Sequence, residues 1–252
     1  MDMAPLRALI FDVDGTLAET ERDGHRVAFN RAFADLGLHW HWDVATYGRL
    51  LAVTGGKERM TAYWREREAS APDDELIRRI HRRKTEIYGD IVAAGGIPLR
   101  PGVARLLAEA RRCGLRLAIA TTTSPENVDA LLRVALGADA TQLFDVVAAG
   151  DVVPAKKPAP DIYDWALAQL RLAPAHCVAF EDSAPGLAAA RGADLATVIT
   201  EGEYTRGADF TGALAVLDSL GEPDAPAAGR VRGQPWRGVV DLDALARWRG
   251  GP

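Results

Sequence analysis

Apolar and polar positions along the chain change period twice. Residues 6–11 open with the apolar run Leu6-Arg7-Ala8-Leu9-Ile10-Phe11, the pattern of a buried strand. It stops at Asp12-Val13-Asp14-Gly15-Thr16-Leu17, whose two carboxylates, two residues apart on extended chain, project to the same side. The period then becomes helical. Val27, Ala28, Phe29, Phe33 and Leu36 recur at helical spacing after Asp23 as a cap, and Gly37 ends that helix. Asp43 caps a second helix, residues 57–68 form a third, and residues 73–94 form the longest. Gly95-Gly96-Ile97-Pro98 closes this all-helical block.

From Pro101 onward strands and helices alternate. A helix runs from Pro101 to Gly114, and Leu115-Arg116-Leu117-Ala118-Ile119-Ala120 is a second strand. It leads into Thr121-Thr122-Thr123-Ser124-Pro125, where Ser124 caps and Pro125 opens the next helix. Residues 145–149 are a third strand, followed by Lys156-Lys157-Pro158 and a helix through Trp165 and Leu170. Cys177-Val178-Ala179-Phe180 is a fourth, ending in Glu181-Asp182-Ser183, and residues 195–199 are a fifth. This alternation predicts an α/β fold: a doubly wound parallel-sheet, Rossmannoid core with an inserted all-helical cap domain. The core comprises residues 1–19 and 96–220, and the cap residues 20–95. The Pro-, Gly- and Ala-rich residues 221–252, with a short helix over 241–249, form a C-terminal extension packed through Trp236 and Trp248.

Composition narrows the function classes. Of 252 residues, 48% are hydrophobic and 26% charged, and the net charge is −5, so neither nucleic acid nor an anionic membrane surface is an expected partner. The two cysteines, Cys113 and Cys177, read as small apolar fillers rather than a disulfide. Asp12 and Asp14 cut the first apolar run too short for a signal peptide, and a cytoplasmic, monomeric enzyme is expected. The basic run Arg78-Arg79-Ile80-His81-Arg82-Arg83-Lys84 reads as a solvated helix face.

Ligands of doubly wound sheets bind beyond the carboxyl ends of the strands. At those ends lie Asp12 and Asp14, then Thr121, then Lys157 in a loop, then Glu181 and Asp182. Two close carboxylates call for a shared proton or a cation. An EF-hand loop starting at Asp12 is excluded, because its sixth position is Leu17 rather than Gly. The set suits phosphoryl transfer. Asp12, Asp182 and a backbone carbonyl near Asp14 offer hard oxygens to Mg2+. Thr121, the helix amides beyond it and Lys157 hold phosphoryl oxygens. Asp12 attacks phosphorus and Asp14 moves the proton.

Asp-x-Asp-Gly-Thr, the Thr after the second strand, Lys-Pro and Glu-Asp-Ser, in that order, resemble the four motifs of the haloacid dehalogenase (HAD) superfamily across residues 6–220. Leu17-Ala18-Glu19-Thr20-Glu21, Thr54-Gly55-Gly56-Lys57-Glu58-Arg59 and the Thr triplet further resemble CbbY-type sugar-phosphate phosphatases. That resemblance implies Asp12 as nucleophile, Asp14 as acid and base, Thr121 and Lys157 on the phosphate, and metal held at Asp12, Asp14, Glu181 and Asp182. It implies substrate contacts at Glu19, Gly55, Gly56, Lys57, Arg59, His81, Lys84, Thr122 and Thr123. It also implies a small phosphorylated sugar as substrate, the 1-phosphate of xylulose 1,5-bisphosphate above all, a compound tied to the Calvin cycle. The alternative is a β-phosphoglucomutase-like mutase, which shares these core residues. Phosphonatases lack the second Asp of the first motif, and receiver domains lack a helical insert after strand one. The segment from Glu21 to His25 departs in length from the family pattern, and His25 is given no catalytic role.

Overall fold

A computed structural model describes residues 4–68, 70–95 and 97–250. Gly96, at the expected cap boundary, and residues 1–3, 69 and 251–252 lie outside the described set.

The chain enters through β1 (Ala8–Phe11), whose four residues are all buried, as expected for a strand covered on both faces. A π-helical turn (Glu21–His25) then feeds directly into α1 (Arg26–Asp35), followed by α2 (Val44–Leu50), α3 (Gly56–Arg67) and α4 (Asp74–Ala93). Asp23 is therefore not a cap. The chain is already helical at that point, and Asp23 lies inside the wide turn. Asp43 and Asp73 cap as expected, accepting from the amides of Thr46 (2.7 Å) and of Glu75 and Leu76 (2.9 and 3.0 Å). On α4, Ile77, Ile80, Ile87, Tyr88 and Val92 form a buried stripe at helical spacing while Arg78, Arg79, Arg82 and Arg83 face solvent. Lys84 breaks the expectation of a solvated run: it falls on the apolar stripe and is buried.

The core continues with α5 (Val103–Arg112), β2 (Arg116–Thr121), α6 (Pro125–Leu136), β3 (Val146–Ala149), α7 (Asp161–Leu170), β4 (Cys177–Glu181), α8 (Ala184–Gly192) and β5 (Ala196–Thr200). Pro125 opens α6 as expected, but the Ser124 hydroxyl makes no capping bond. Cys113, at the end of α5, is exposed rather than a filler, because the apolar stripe of that helix ends at Ala110; Cys177 is buried.

β6 (Ala215–Leu217), β7 (Ala227–Val231) and β8 (Gln234–Gly238) complete the sheet, and α9 (Leu242–Gly250) closes the chain. The order is β3-β2-β1-β4-β5-β6-β7-β8, parallel from β3 to β6 and antiparallel at β7 and β8. Residues beyond 221 are thus less an extension than part of the sheet itself. Val240, Leu245 and Trp248 join the main apolar cluster, and Trp236 meets Trp248 edge to face at 5.0 Å. β1 lies between β2 and β4 with Phe11 opposite both Ile119 and Phe180, so the carboxyl ends of all three strands come level. From β1 the chain builds outward through β2 and β3 on one side, then crosses to β4 and β5 on the other, and this reversal opens a crevice at those ends.

Candidate active site

At the end of β1, the Asp12 amide donates to the Phe180 carbonyl of β4 (3.0 Å), which fixes the first carboxylate in the crevice. Gly15 then turns the chain at φ +79°, and a side chain there would strike the Asp182 carboxylate. Lys157 reaches in from the loop after β3. Its ammonium donates to Asp12 Oδ1 (2.7 Å), the Ala120 carbonyl (2.9 Å) and Glu181 Oε1 (2.5 Å). Tyr163 of α7 donates to the same Glu181 oxygen at 2.6 Å.

Oxygens of Asp12, Glu181 and Asp182 lie within 4.8 Å of one another, and all three residues are largely shielded from solvent. Burial raises the Asp12 carboxyl, partly offset by Lys157, and the negative charge of Glu181 raises it further. Burial and then the charge of Asp12 push Asp182 well above the ordinary carboxylate range. Lys157 is held above the usual lysine range, because Asp12 and Glu181 more than offset its burial. Three carboxylates and one ammonium leave excess negative charge in a dry site, and Glu181 Oε2 is buried without a partner among the described residues. These residues fit a hard, oxygen-loving divalent cation.

Asp14 lives in a different setting. Its Oδ1 accepts from the Thr20 hydroxyl and from His25 Nε2 (2.8 Å), and its Oδ2 accepts from the Thr123 hydroxyl. Burial alone would raise this carboxyl, but His25 and the two threonines hold it well below the ordinary range. His25 Nδ1 in turn lies 2.8 Å from Lys84 Nζ. An ammonium can only donate, so Nδ1 is the acceptor and Nε2 carries the proton that faces Asp14. Burial lowers Lys84 to about 8. His25 stacks on Tyr88 with ring centroids 4.1 Å apart. His25, Thr20 and Lys84 therefore form a chain from cap to core that ends on Asp14.

A cavity of about 490 Å3 spans the crevice and the cap. It brings together Asp12, Asp14, Glu19, Gly55, Gly56, Arg59, His81, Lys84, Thr121, Thr122, Thr123, Lys157, Glu181 and Asp182. Of the residues expected at the site, Lys57 alone is turned elsewhere. Its ammonium pairs with Asp151 (2.5 Å) in the loop after β3, at a half-exposed position outside the cavity lining. The cause is helical geometry: Lys57 is the second residue of α3, one past Gly56, so it points about 100° away from the face that carries the cavity. Glu19 lines the cavity, but its carboxylate is engaged by Arg100, which also donates to the carbonyls of Gly15 (2.6 Å), Glu201 (2.7 Å) and Asp218 (2.9 Å). From the cap loop, the Thr54 hydroxyl donates to the Lys157 carbonyl.

Sequence reading missed His25, Thr20, Glu21, Tyr163 and Arg100 at or beside the site. The π turn carries an extra residue per turn, so the periodicity of α1 does not extrapolate back to His25. Arg100 and Tyr163 reach the site across the fold, and no local spacing marks them.

A doubly wound sheet with a helical cap, opposed carboxylates at its switch point and a buried lysine between them define a hydrolase of the phosphatase class. The haloacid dehalogenase-like hydrolase model matches residues 6–194, three quarters of the chain, and the chain belongs to that family. Protein CbbY of Cupriavidus necator is 50% identical over 250 residues, 98% of either chain. CbbY from Rhodobacter sphaeroides, solved with phosphate and, as a mutant, with xylulose-(1,5)bisphosphate, superposes with a TM-score of 0.80 at 52% identity, over 85% of this chain and 94% of that one. A phosphorylated carbohydrates phosphatase of Thermotoga maritima is 29% identical over 75% of this chain and 82% of its own. Among the described residues, no helix is long and apolar enough to cross a membrane.

Proposed function

We propose that this enzyme is a Mg2+-dependent sugar-phosphate phosphatase that removes the 1-phosphate of xylulose 1,5-bisphosphate through an aspartyl-phosphate on Asp12. The observation that carries the reading is the pair Asp12 and Asp14, which face one cavity from opposite electrostatic settings. The likeness to the CbbY proteins supports the choice of sugar.

Asp12, oriented by Lys157 and its own amide, is placed to attack phosphorus. Lys157, Thr121 and the amides that open α6 face the transferred oxygens. Asp12, Glu181, Asp182 and the backbone at Asp14 would hold Mg2+, whose charge, when bound, offsets that of the nucleophile and the phosphoryl group. Asp14 in its ionised state accepts a proton from the hydrolytic water. Release of any of its three donors raises its affinity for a proton, the state it needs when it protonates the leaving oxygen. Residues 20–95 act as the cap over the core of residues 1–19 and 96–220. From it Gly55, Gly56, Arg59, His81 and Lys84 face the sugar, with Glu19, Thr122 and Thr123 opposite on the core.

The test is phosphate release across phosphorylated sugars, including xylulose and ribulose bisphosphates, with Mg2+ and then with excess chelator. Free phosphate from xylulose 1,5-bisphosphate, abolished by chelator and restored by Mg2+, is the expected result. An isomerised sugar phosphate without free phosphate would instead show a mutase, and full activity in chelator would refute the metal site.

A further inference from the structure

Two opposite charges share the cap side of the cavity without pairing. Arg59 of α3 is buried, 7% exposed, and lines the cavity together with Glu21 of the π turn. Among the described residues neither forms an ion pair. Arg59 Nε donates to the Val53 carbonyl (3.3 Å) and Nη1 to the Tyr47 hydroxyl (3.0 Å). The Tyr47 hydroxyl donates in turn to Glu21 Oε2 at 2.5 Å. Tyr47, on α2, is fully buried and stands between the two charges, with the guanidinium carbon 5.2 Å from its ring centroid.

A guanidinium and a carboxylate in a poorly solvated cavity should collapse into a two-point pair, which would use both carboxylate oxygens and one edge of the guanidinium. The phenol prevents this by satisfying one atom of each. Burial and the Glu21 charge hold the phenol well above its ordinary range, so it stays a neutral donor. Among the described residues, the second guanidinium nitrogen of Arg59 and Glu21 Oε1 have no hydrogen-bond partner. A buried arginine without a counter-ion is costly and suited to an anion supplied by a ligand.

We propose that Tyr47 is a positioning residue, a neutral spacer that keeps Arg59 and Glu21 apart as two recognition groups. Arg59 takes an anionic group of the substrate remote from the reacting phosphoryl, where a guanidinium fork matches phosphate oxygens. Glu21 accepts hydrogen bonds from sugar hydroxyls. This rests on the reading of the enzyme as a sugar-phosphate phosphatase.

The experiment compares wild type with Tyr47→Phe, Glu21→Gln and the double variant, on xylulose 1,5-bisphosphate and on p-nitrophenyl phosphate. The second substrate has neither a remote phosphate nor hydroxyls. In Tyr47→Phe, Arg59 and Glu21 pair directly, and KM for the bisphosphate rises about tenfold while kcat changes by less than about twofold. Kinetics on p-nitrophenyl phosphate and the melting temperature stay close to wild type. In the double variant Arg59 has no carboxylate to fall on, so KM returns to that of Glu21→Gln alone. Unchanged KM in Tyr47→Phe, equal losses on both substrates, or a double variant in which the two single effects multiply would each overturn the spacer. A wild type that releases no phosphate from any sugar bisphosphate would overturn the functional reading, and the spacer with it. Activity in wild type with no effect of Tyr47→Phe would overturn the spacer alone.

Discussion

At the scale of single residues, the site depends on two carboxylates of one type made different by their neighbours. Asp12 is buried, with the charges of Glu181 and Asp14 beside it, so its folded-state affinity for a proton is raised above that of the unfolded chain. A carboxyl raised in this way destabilises the fold increasingly as pH rises above the unfolded value of 3.8. Asp12→Asn removes that charge with little change of shape. In chelator, the variant should therefore melt above wild type by a margin that grows from pH 4 toward pH 8. Mg2+ should narrow the margin, because the cation stabilises only the charged site. Its phosphate release should fall below about a thousandth of wild type, since an amide cannot act as the nucleophile. A margin that is flat with pH, or retained turnover, would contradict this account. Asp14 is shifted the other way, through His25. In His25→Gln the Asp14 carboxyl loses its largest favourable partner and its pKa climbs. With p-nitrophenyl phosphate the leaving group departs without an acid, so kcat reports Asp14 as base. The acid limb of the kcat–pH profile should move to higher pH, and kcat at neutral pH should fall about 10- to 100-fold. An unmoved profile would remove His25 from proton transfer.

At the scale of elements, cap and core meet through the packing of α4 on α6 and through polar contacts beside the cavity. α3 contributes Lys57 to Asp151, and its preceding loop contributes Thr54 to the Lys157 carbonyl. The Lys57–Asp151 pair is well exposed, and such pairs contribute about 0–1 kcal/mol. Lys57→Ala should therefore lower kcat/KM by less than about fivefold, and by the same factor for a sugar bisphosphate and for p-nitrophenyl phosphate. A selective loss of tenfold or more on the bisphosphate would place Lys57 back among the substrate ligands. Where the chain re-enters the core, Arg100 gathers Gly15, Glu19 and the ends of β5 and β6. One buried guanidinium thereby ties the turn after Asp14 to the return strand of the cap and to the far half of the sheet.

At the scale of the whole molecule, the six parallel strands carry the chemistry and the two antiparallel strands extend the sheet beyond β6. β7 pairs with β6 from Ala215–Val231 to Leu217–Gly229, and α9 buries Ala244, Leu245 and Trp248. A chain ended after Leu220 would expose the edge of β6 and the apolar surface under α9. At about 1.5–3 kcal/mol for each large side chain returned to water, the loss is several kcal/mol, a large part of a domain's stability. The truncated chain should unfold at clearly lower urea concentration than the full chain. Where it remains folded, its kcat on p-nitrophenyl phosphate should be unchanged, since no described residue beyond 220 lines the cavity. Equal urea midpoints would show that β7, β8 and α9 are dispensable.

Strand ends, the Gly15 turn, the Pro125 helix start and the block of cap helices were legible from residues alone, because periodicity and turn chemistry act over a few positions. So was the gathering of Asp12, Asp14, Thr121, Lys157, Glu181 and Asp182 at one cavity, since a parallel sheet brings successive strand ends to one edge. What lies across the fold was not. The same one-letter pattern that marks α4 as half solvated cannot say that Lys84 falls on its buried stripe beside His25. The proline- and glycine-rich tail reads as irregular, yet becomes strand because β6 offers it an unpaired edge. Lys57 and Arg59 are equally basic and two residues apart. Only the rotation of α3 against the core sends one to Asp151 and the other into the cavity, because a helix turns about 100° per residue and the sequence does not state which face meets the sheet.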